Sequence, residues 1–205
     1  FKFVGTQINY TKLGNGDSSV RTKASLSLLE KALICHKVRT ALPSALPLGA
    51  AASEKRFKEL FLDIGLGQTA AGLPIENVLQ SKNLLATYDG KLAEQFVGQQ
   101  LLAESDIASE GKNIFCWIRA ERSSSAEIDY LIVREGKIVP VEVKSGKSGS
   151  LKSLHLLLNQ FSTSVESGLC LQQSDKIGRV DVFSHNTLTV PLEKTQEVLY
   201  LGKRV

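Results

Sequence analysis

Ile128-Asp129-Tyr130-Leu131-Ile132-Val133, then Arg134-Glu135-Gly136-Lys137, then Ile138-Val139-Pro140-Val141-Glu142-Val143-Lys144, is the stretch whose reading decides the fold. Two apolar, β-branched runs flank a short turn signal, which predicts an antiparallel hairpin closed at Glu135-Gly136. Side chains on a strand alternate between faces, so Glu142 and Lys144 share one face while Val141 and Val143 take the other, towards a core. Strand pairing brings Asp129 near the Glu142 and Lys144 face. Two carboxylates and a lysine placed this way are what a phosphodiester-cleaving metal site requires. Asp129 and Glu142 suit Mg²⁺ (or Mn²⁺), a hard cation that keeps several waters and takes few protein ligands. The ion would lower the pKa of a bound water. Lys144 would orient or deprotonate that water, or stabilise charge on the phosphate. A merely solvated Glu-x-Lys strand is the competing reading; the nearby aspartate, the turn and the valine-rich strand favour the metal site.

Outward from the hairpin, strands are expected at 114–118, 169–171, 180–183 and 188–192, with a short terminal helix after the last. A helix over 150–160 carries Leu151, Leu154, Leu158 and Phe161 at helical spacing. Upstream, an amphipathic helix over 91–104 is expected to bury Leu92, Phe96, Val97 and Leu101, with Glu94 beside that stripe. Strands, a crossover helix and further strands make an α/β order with a mixed sheet flanked by helices. The first segment has a different rhythm. Ser18-Ser19 can cap a helix over 20–32 whose Ala24, Leu28, Leu29 and Ala32 share a face. A strand over 34–38, a loop over 41–52 with Pro43 and Pro47, and a returning segment over 57–62 follow, the order of a small winged-helix domain. Short helices interrupted by Gly72 and Pro74 connect the two parts. The expected division is a winged-helix-like module with connecting helices over 1–85 and an α/β domain over 86–205.

Ala126-Glu127-Ile128-Asp129-Tyr130, with Ile138-Val139-Pro140-Val141-Glu142-Val143-Lys144-Ser145-Gly146, resembles a nuclease-like domain of unknown function. That domain stands at the C-terminal end of many prokaryotic AAA-type ATPases and is usually placed in the PD-(D/E)XK superfamily. Gly90-Lys91-Leu92-Ala93-Glu94-Gln95-Phe96-Val97 resembles the family's first nuclease helix with its glutamate. Arg56-Phe57-Lys58 and Leu62-Asp63-Ile64-Gly65-Leu66 resemble a segment between the ATPase and the nuclease fold. The resemblance runs from about Leu28 onward. It implies a restriction-endonuclease-like fold, a site of Glu94, Asp129, Glu142 and Lys144, DNA as the substrate, and an ATPase portion ahead of this chain. A chain of 205 residues without a methionine then reads as part of a longer polypeptide. The alternative is a nuclease fold without turnover that binds DNA or a protein for the ATPase.

Composition sets the outer bounds. With 42% hydrophobic and 22% charged residues, the chain is expected to be a folded cytoplasmic protein. No stretch approaches the roughly 20 apolar residues that span a bilayer, and Phe1-Lys2-Phe3 does not begin a secretion signal. The net charge of +4 is uneven: residues 1–85 hold 11 Lys and Arg against 6 Asp and Glu, the remainder 14 against 15. A basic first part suits contact with DNA phosphates through Arg21, Lys23 and Lys37, while Arg119, Arg122 and Lys147 flank the metal site. No cluster of Arg, Asn and Gln marks base reading. Cys35, Cys116 and Cys170 are odd in number and widely spaced, which predicts buried free thiols. His36, His155 and His185 are isolated from one another. Gly146-Lys147-Ser148 imitates the end of a phosphate-binding loop, but Val141 stands where that loop needs its first glycine.

Overall fold

The computed structural model describes residues 7, 8, 10, 18–70, 84–104, 114–119, 126–145, 150–173, 179–184 and 188–190. Contacts gather the chain into two compact units, Phe1–Thr40 with Ser53–Lys112, and Ala41–Ala52 with Asn113–Val205. The expected interruptions at Gly72 and Pro74, the strand end at 191–192 and the terminal helix lie outside the described residues.

The first unit begins with helix α1, Ser19–Lys31. The Ser18 side chain accepts the Arg21 N–H at 3.3 Å, as an N-cap should. At the other end Leu33 N–H donates to Glu30 O and Ile34 N–H to Leu29 O, both at 3.0 Å. That pair of bonds is a Schellman ending, and it forces Leu33 to a left-handed φ of 59° where glycine is usual. The apolar face expected on this helix is not a core face. None of its residues is buried, and Leu28 is 66% exposed. The helix is instead tied down at its end, where Glu30 pairs with Lys37 Nζ at 3.1 Å.

Strands β1 (Cys35–Thr40) and β2 (Ser53–Phe61) form an antiparallel pair in which Lys37 faces Glu59 and Val38 faces Lys58. The outer edge of β2 is closed at two points. Ile8 N–H donates to Phe57 O at 2.7 Å. At Phe61 the Gln95 side chain takes the backbone N–H at 3.1 Å and gives its own N–H to the carbonyl at 2.9 Å. Closing an edge this way removes a template for unwanted strand pairing. A short helix α2, Ile64–Ala70, follows, with the Asp63 carboxylate accepting Leu66 N–H at 2.8 Å. Gln95 lies on helix α3, Leu84–Glu104. The buried side of α3 keeps only part of the predicted stripe: Leu101 is buried as expected and Leu92 and Val97 are half-buried, but Phe96 is 52% exposed and Glu94 and Gln95 are buried instead. Lys58 and the Phe61 backbone explain the rotation. A buried polar group left unpaired costs more than a phenyl ring left in water.

Beneath α1, burial acts on titrating groups. Glu59 is buried, and desolvation pushes its carboxyl up to about 7, with the Cys35 thiol and the Lys37 ammonium offsetting only part. Burial, with Glu59 adding to it, pushes the Cys35 thiol up to about 12.

The second unit holds a six-stranded mixed sheet in the order β3 (Phe115–Ile118), β4 (Glu127–Arg134), β5 (Lys137–Ser145), β6 (Ser167–Gln173), β7 (Arg179–Ser184) and β8 (Leu188–Val190). Neighbours are antiparallel except β5 and β6, which run parallel and are joined through helix α4, Lys152–Gln160. Glu135 and Gly136 both take left-handed φ, 50° and 72°, the geometry of the tight turn expected there. Leu154, Leu157 and Leu158 of α4 pack on Phe115, Trp117, Ile128, Leu131 and Ile138 to make the core. Gly168 on β6 allows the helix to sit close: a Cβ there would fall 2.8 Å from Leu154 Cδ1 and 3.0 Å from Pro140 Cγ. All three cysteines are free and buried, as expected.

Two outcomes follow. Leu33→Gly relieves a left-handed leucine and should raise stability by about 1 kcal/mol, seen as a higher urea midpoint with an unchanged slope. Glu59 binds its proton more readily folded than unfolded, so its stabilising contribution is full below pH 4.5 and is lost as pH rises towards 7. Glu59→Gln should therefore melt higher than the parent at pH 8, by on the order of 2 kcal/mol, and the two should converge towards pH 4.5 in thermal scans.

Candidate functional site

The hairpin β4–β5 pairs from Arg134 with Lys137 to Tyr130 with Val141. On the other side of β4 the register with β3 slips: Phe115 pairs with Leu131 and Trp117 with Ile128, three steps on β4 against two on β3. Ile128 and Leu131 both enter the core, so Asp129 and Tyr130 form the extra step between them. Bulges of this kind re-aim a side chain and end a ladder. Here the Asp129 carboxylate does what the next backbone carbonyl would have done. Its Oδ2 accepts the Val143 N–H at 2.8 Å, and Val143 is the residue between Glu142 and Lys144.

Glu142 and Lys144 close the group. Lys144 Nζ donates to Glu142 Oε1 at 2.5 Å, with the glutamate side chain 7% exposed and the lysine 25%. Burial alone would lower the Lys144 pKa, but the hydrogen bond and charge of Glu142, with the charge of Asp129, raise it overall. Lys144 is thus an ammonium at neutral pH, suited to stabilise negative charge and not to take a proton. Lys144 and Glu142 thus pair directly, and the Asp129 carboxylate is bonded to the backbone of the residue between them. Among the described residues no set of three or more His, Cys, Asp and Glu side chains is arranged to hold a metal. A cation at this site would rest on the Asp129 and Glu142 carboxylates plus waters, a set of hard oxygen donors that Mg²⁺ accepts.

The remaining expected site residues are distributed elsewhere. Glu94 belongs to the first unit, where its Oε1 accepts from Lys58 Nζ at 2.8 Å in a buried ion pair. Lys37, also in the first unit, pairs with Glu30 and lies 4.9 Å from the Phe57 ring centre. Arg21 and Lys23 are exposed on α1. Arg119 follows β3, its backbone N–H donating to Ala126 O at 2.8 Å. Arg122 and Lys147 lie outside the described residues.

Sequence reading passed over Lys58 and Gln95, which fix α3 to β2, and Cys170, which pairs with Glu142 across β5 and β6. Lys58 had no clear signal: its strand, Ser53–Phe61, holds five charged residues, and nothing in their order marks this lysine as the buried one.

Residues 2–77 match a domain of unknown function, DUF8612. Residues 89–193 match another, DUF4143, over just more than half of the 205 residues. No curated protein and no solved structure matches the chain. The second match spans α3 from its middle and the whole six-stranded sheet with the Asp129 group, and the chain belongs to the DUF4143 family.

Proposed function

We propose that the second unit is a divalent-metal-dependent nuclease-type domain acting on DNA, with a restriction-endonuclease-like fold. In this reading it is the C-terminal part of a prokaryotic AAA-type ATPase, and the preceding unit is of winged-helix type. The observation that carries the proposal is that Asp129 accepts the backbone N–H of Val143, the residue between the paired Glu142 and Lys144. Mg²⁺ or Mn²⁺, when bound, would supply an activated water and a Lewis acid for the phosphate. Asp129 and Glu142 would hold the ion, with the Asp129 carboxylate kept in orientation by the Val143 N–H. Lys144, already cationic, would offset charge that builds on the non-bridging phosphate oxygens in the transition state. Of the expected roles for the lysine, orienting the water, deprotonating it or stabilising charge on the phosphate, this reading takes the last. Glu94, expected in the site, is ion-paired with Lys58 in the first unit and takes no part in this reading.

One observation favours a second reading, in which the unit binds DNA or a protein without turnover. Glu142 is buried and hydrogen-bonded by Lys144, an internal cation where the metal would sit.

Cleavage separates the two. With millimolar Mg²⁺ or Mn²⁺ the parent chain should nick supercoiled plasmid DNA, and Lys144→Ala should slow the nicking by at least about a hundredfold. Equal nicking by both, or none by the parent with either ion, removes the enzymatic reading.

A further inference from the structure

Strand register puts Lys37 of β1 directly opposite Glu59 of β2, on the face that meets α1 through Glu30. Partners across an antiparallel pair stand roughly 5 Å apart at Cβ, so the ammonium could reach that carboxylate. It goes elsewhere. Lys37 Nζ takes both oxygens of Glu30 on α1, at 3.1 and 3.2 Å. Glu59 is only 6% exposed, yet no N–H or O–H group donates to either of its oxygens. The titrating groups that face it are the Cys35 thiol and Lys37 from β1 and Glu30 from α1. On β2 itself the same side carries Phe57 and Phe61, while Lys58 points the other way and pairs with Glu94. Tyr10 joins the cluster through Lys37, whose ammonium lies 5.7 Å from its ring centre.

One cation thus stands before two carboxylates and is held by the one on the helix. That division needs Glu59 to be neutral. A buried carboxylate without nitrogen donors resists ionisation. Once it does ionise, two effects act on α1 in the same sense. The new charge draws Lys37 away from Glu30, and it repels the Glu30 carboxylate. None of the α1 residues is buried, so apolar packing holds the helix weakly. Behind it, Leu62 N–H donates to Ile34 O at 2.9 Å, which fixes the point up to which the helix can leave.

We propose that Glu59 and Lys37 form a pH-operated latch on α1: protonated Glu59 leaves Lys37 to Glu30 and the helix stays docked, whereas ionised Glu59 draws the lysine off and releases the helix up to Ile34. The proposal is independent of the nuclease-type reading. Docked, Glu59 keeps its proton up to about 7, against 4.5 for an ordinary glutamate such as the released state presents. The latch is therefore fully closed below pH 4.5. Opening gains up to about tenfold per pH unit as pH rises towards 7, and it levels off beyond.

Amide hydrogen exchange of the full chain at pH 5 and pH 8, divided by the intrinsic rate at each pH, reads the opening directly. In the parent the α1 amides should open at least about tenfold more often at pH 8 than at pH 5. In Glu59→Gln, neutral at both, they should be equally protected. Glu30→Gln breaks the latch from the helix side without altering a buried residue, and it should open α1 severalfold more than in the parent at pH 5. The β1 and β2 amides should open far less often than those of α1 throughout. An unchanged parent, an equal rise in Glu59→Gln, or a Glu30→Gln helix as protected as the parent at pH 5 would each overturn the latch. So would β1 and β2 amides that open as often as α1, because the event would then be unfolding of the strands.

Discussion

A single hydrogen bond, from the Val143 amide to the Asp129 carboxylate, governs the arrangement at the end of the hairpin. The bulge between Ile128 and Leu131 takes β4 out of step, and without another acceptor the Val143 N–H would be left unmet. An ionised acceptor makes such a bond worth roughly 1.5–3 kcal/mol, more than a neutral ladder bond. The strands can part there because a side chain replaces the missing carbonyl. The same act brings Asp129 beside the residue between Glu142 and Lys144. Structure and candidate chemistry therefore share one cause.

The electrostatics of the group are those of a site with its own cation. Lys144 is hydrogen-bonded to Glu142, and the charges of Glu142 and Asp129 raise its pKa against the effect of burial. In the proposed reading Asp129 and Glu142 would hold a divalent ion, and Lys144 would offset charge on the phosphate.

The hairpin, its turn, the α4 leucines and the common face of Glu142 and Lys144 were legible because each follows from local periodicity. The apolar runs set the strands, and Glu135-Gly136 has the chemistry of a tight turn. Three things were not legible. The bulge at Asp129 depends on how β3 packs, which no pattern within β4 reveals. The buried side of α3 includes Glu94 and Gln95, held by Lys58 and the Phe61 backbone on a distant strand, so the stripe read from the sequence was right at Leu101 and wrong at Phe96. The exposed leucines of α1 likewise show that an amphipathic pattern does not by itself name a core.

Most directly, the account stands on Asp129 and Glu142 acting together as ligands. A Mn²⁺ titration read by the electron paramagnetic resonance of the unbound ion measures this without any substrate. The parent should remove about one equivalent of Mn²⁺ from solution, and a chain carrying both Asp129→Ala and Glu142→Ala should remove none. Equal uptake by the two proteins, or no uptake by the parent, would contradict it.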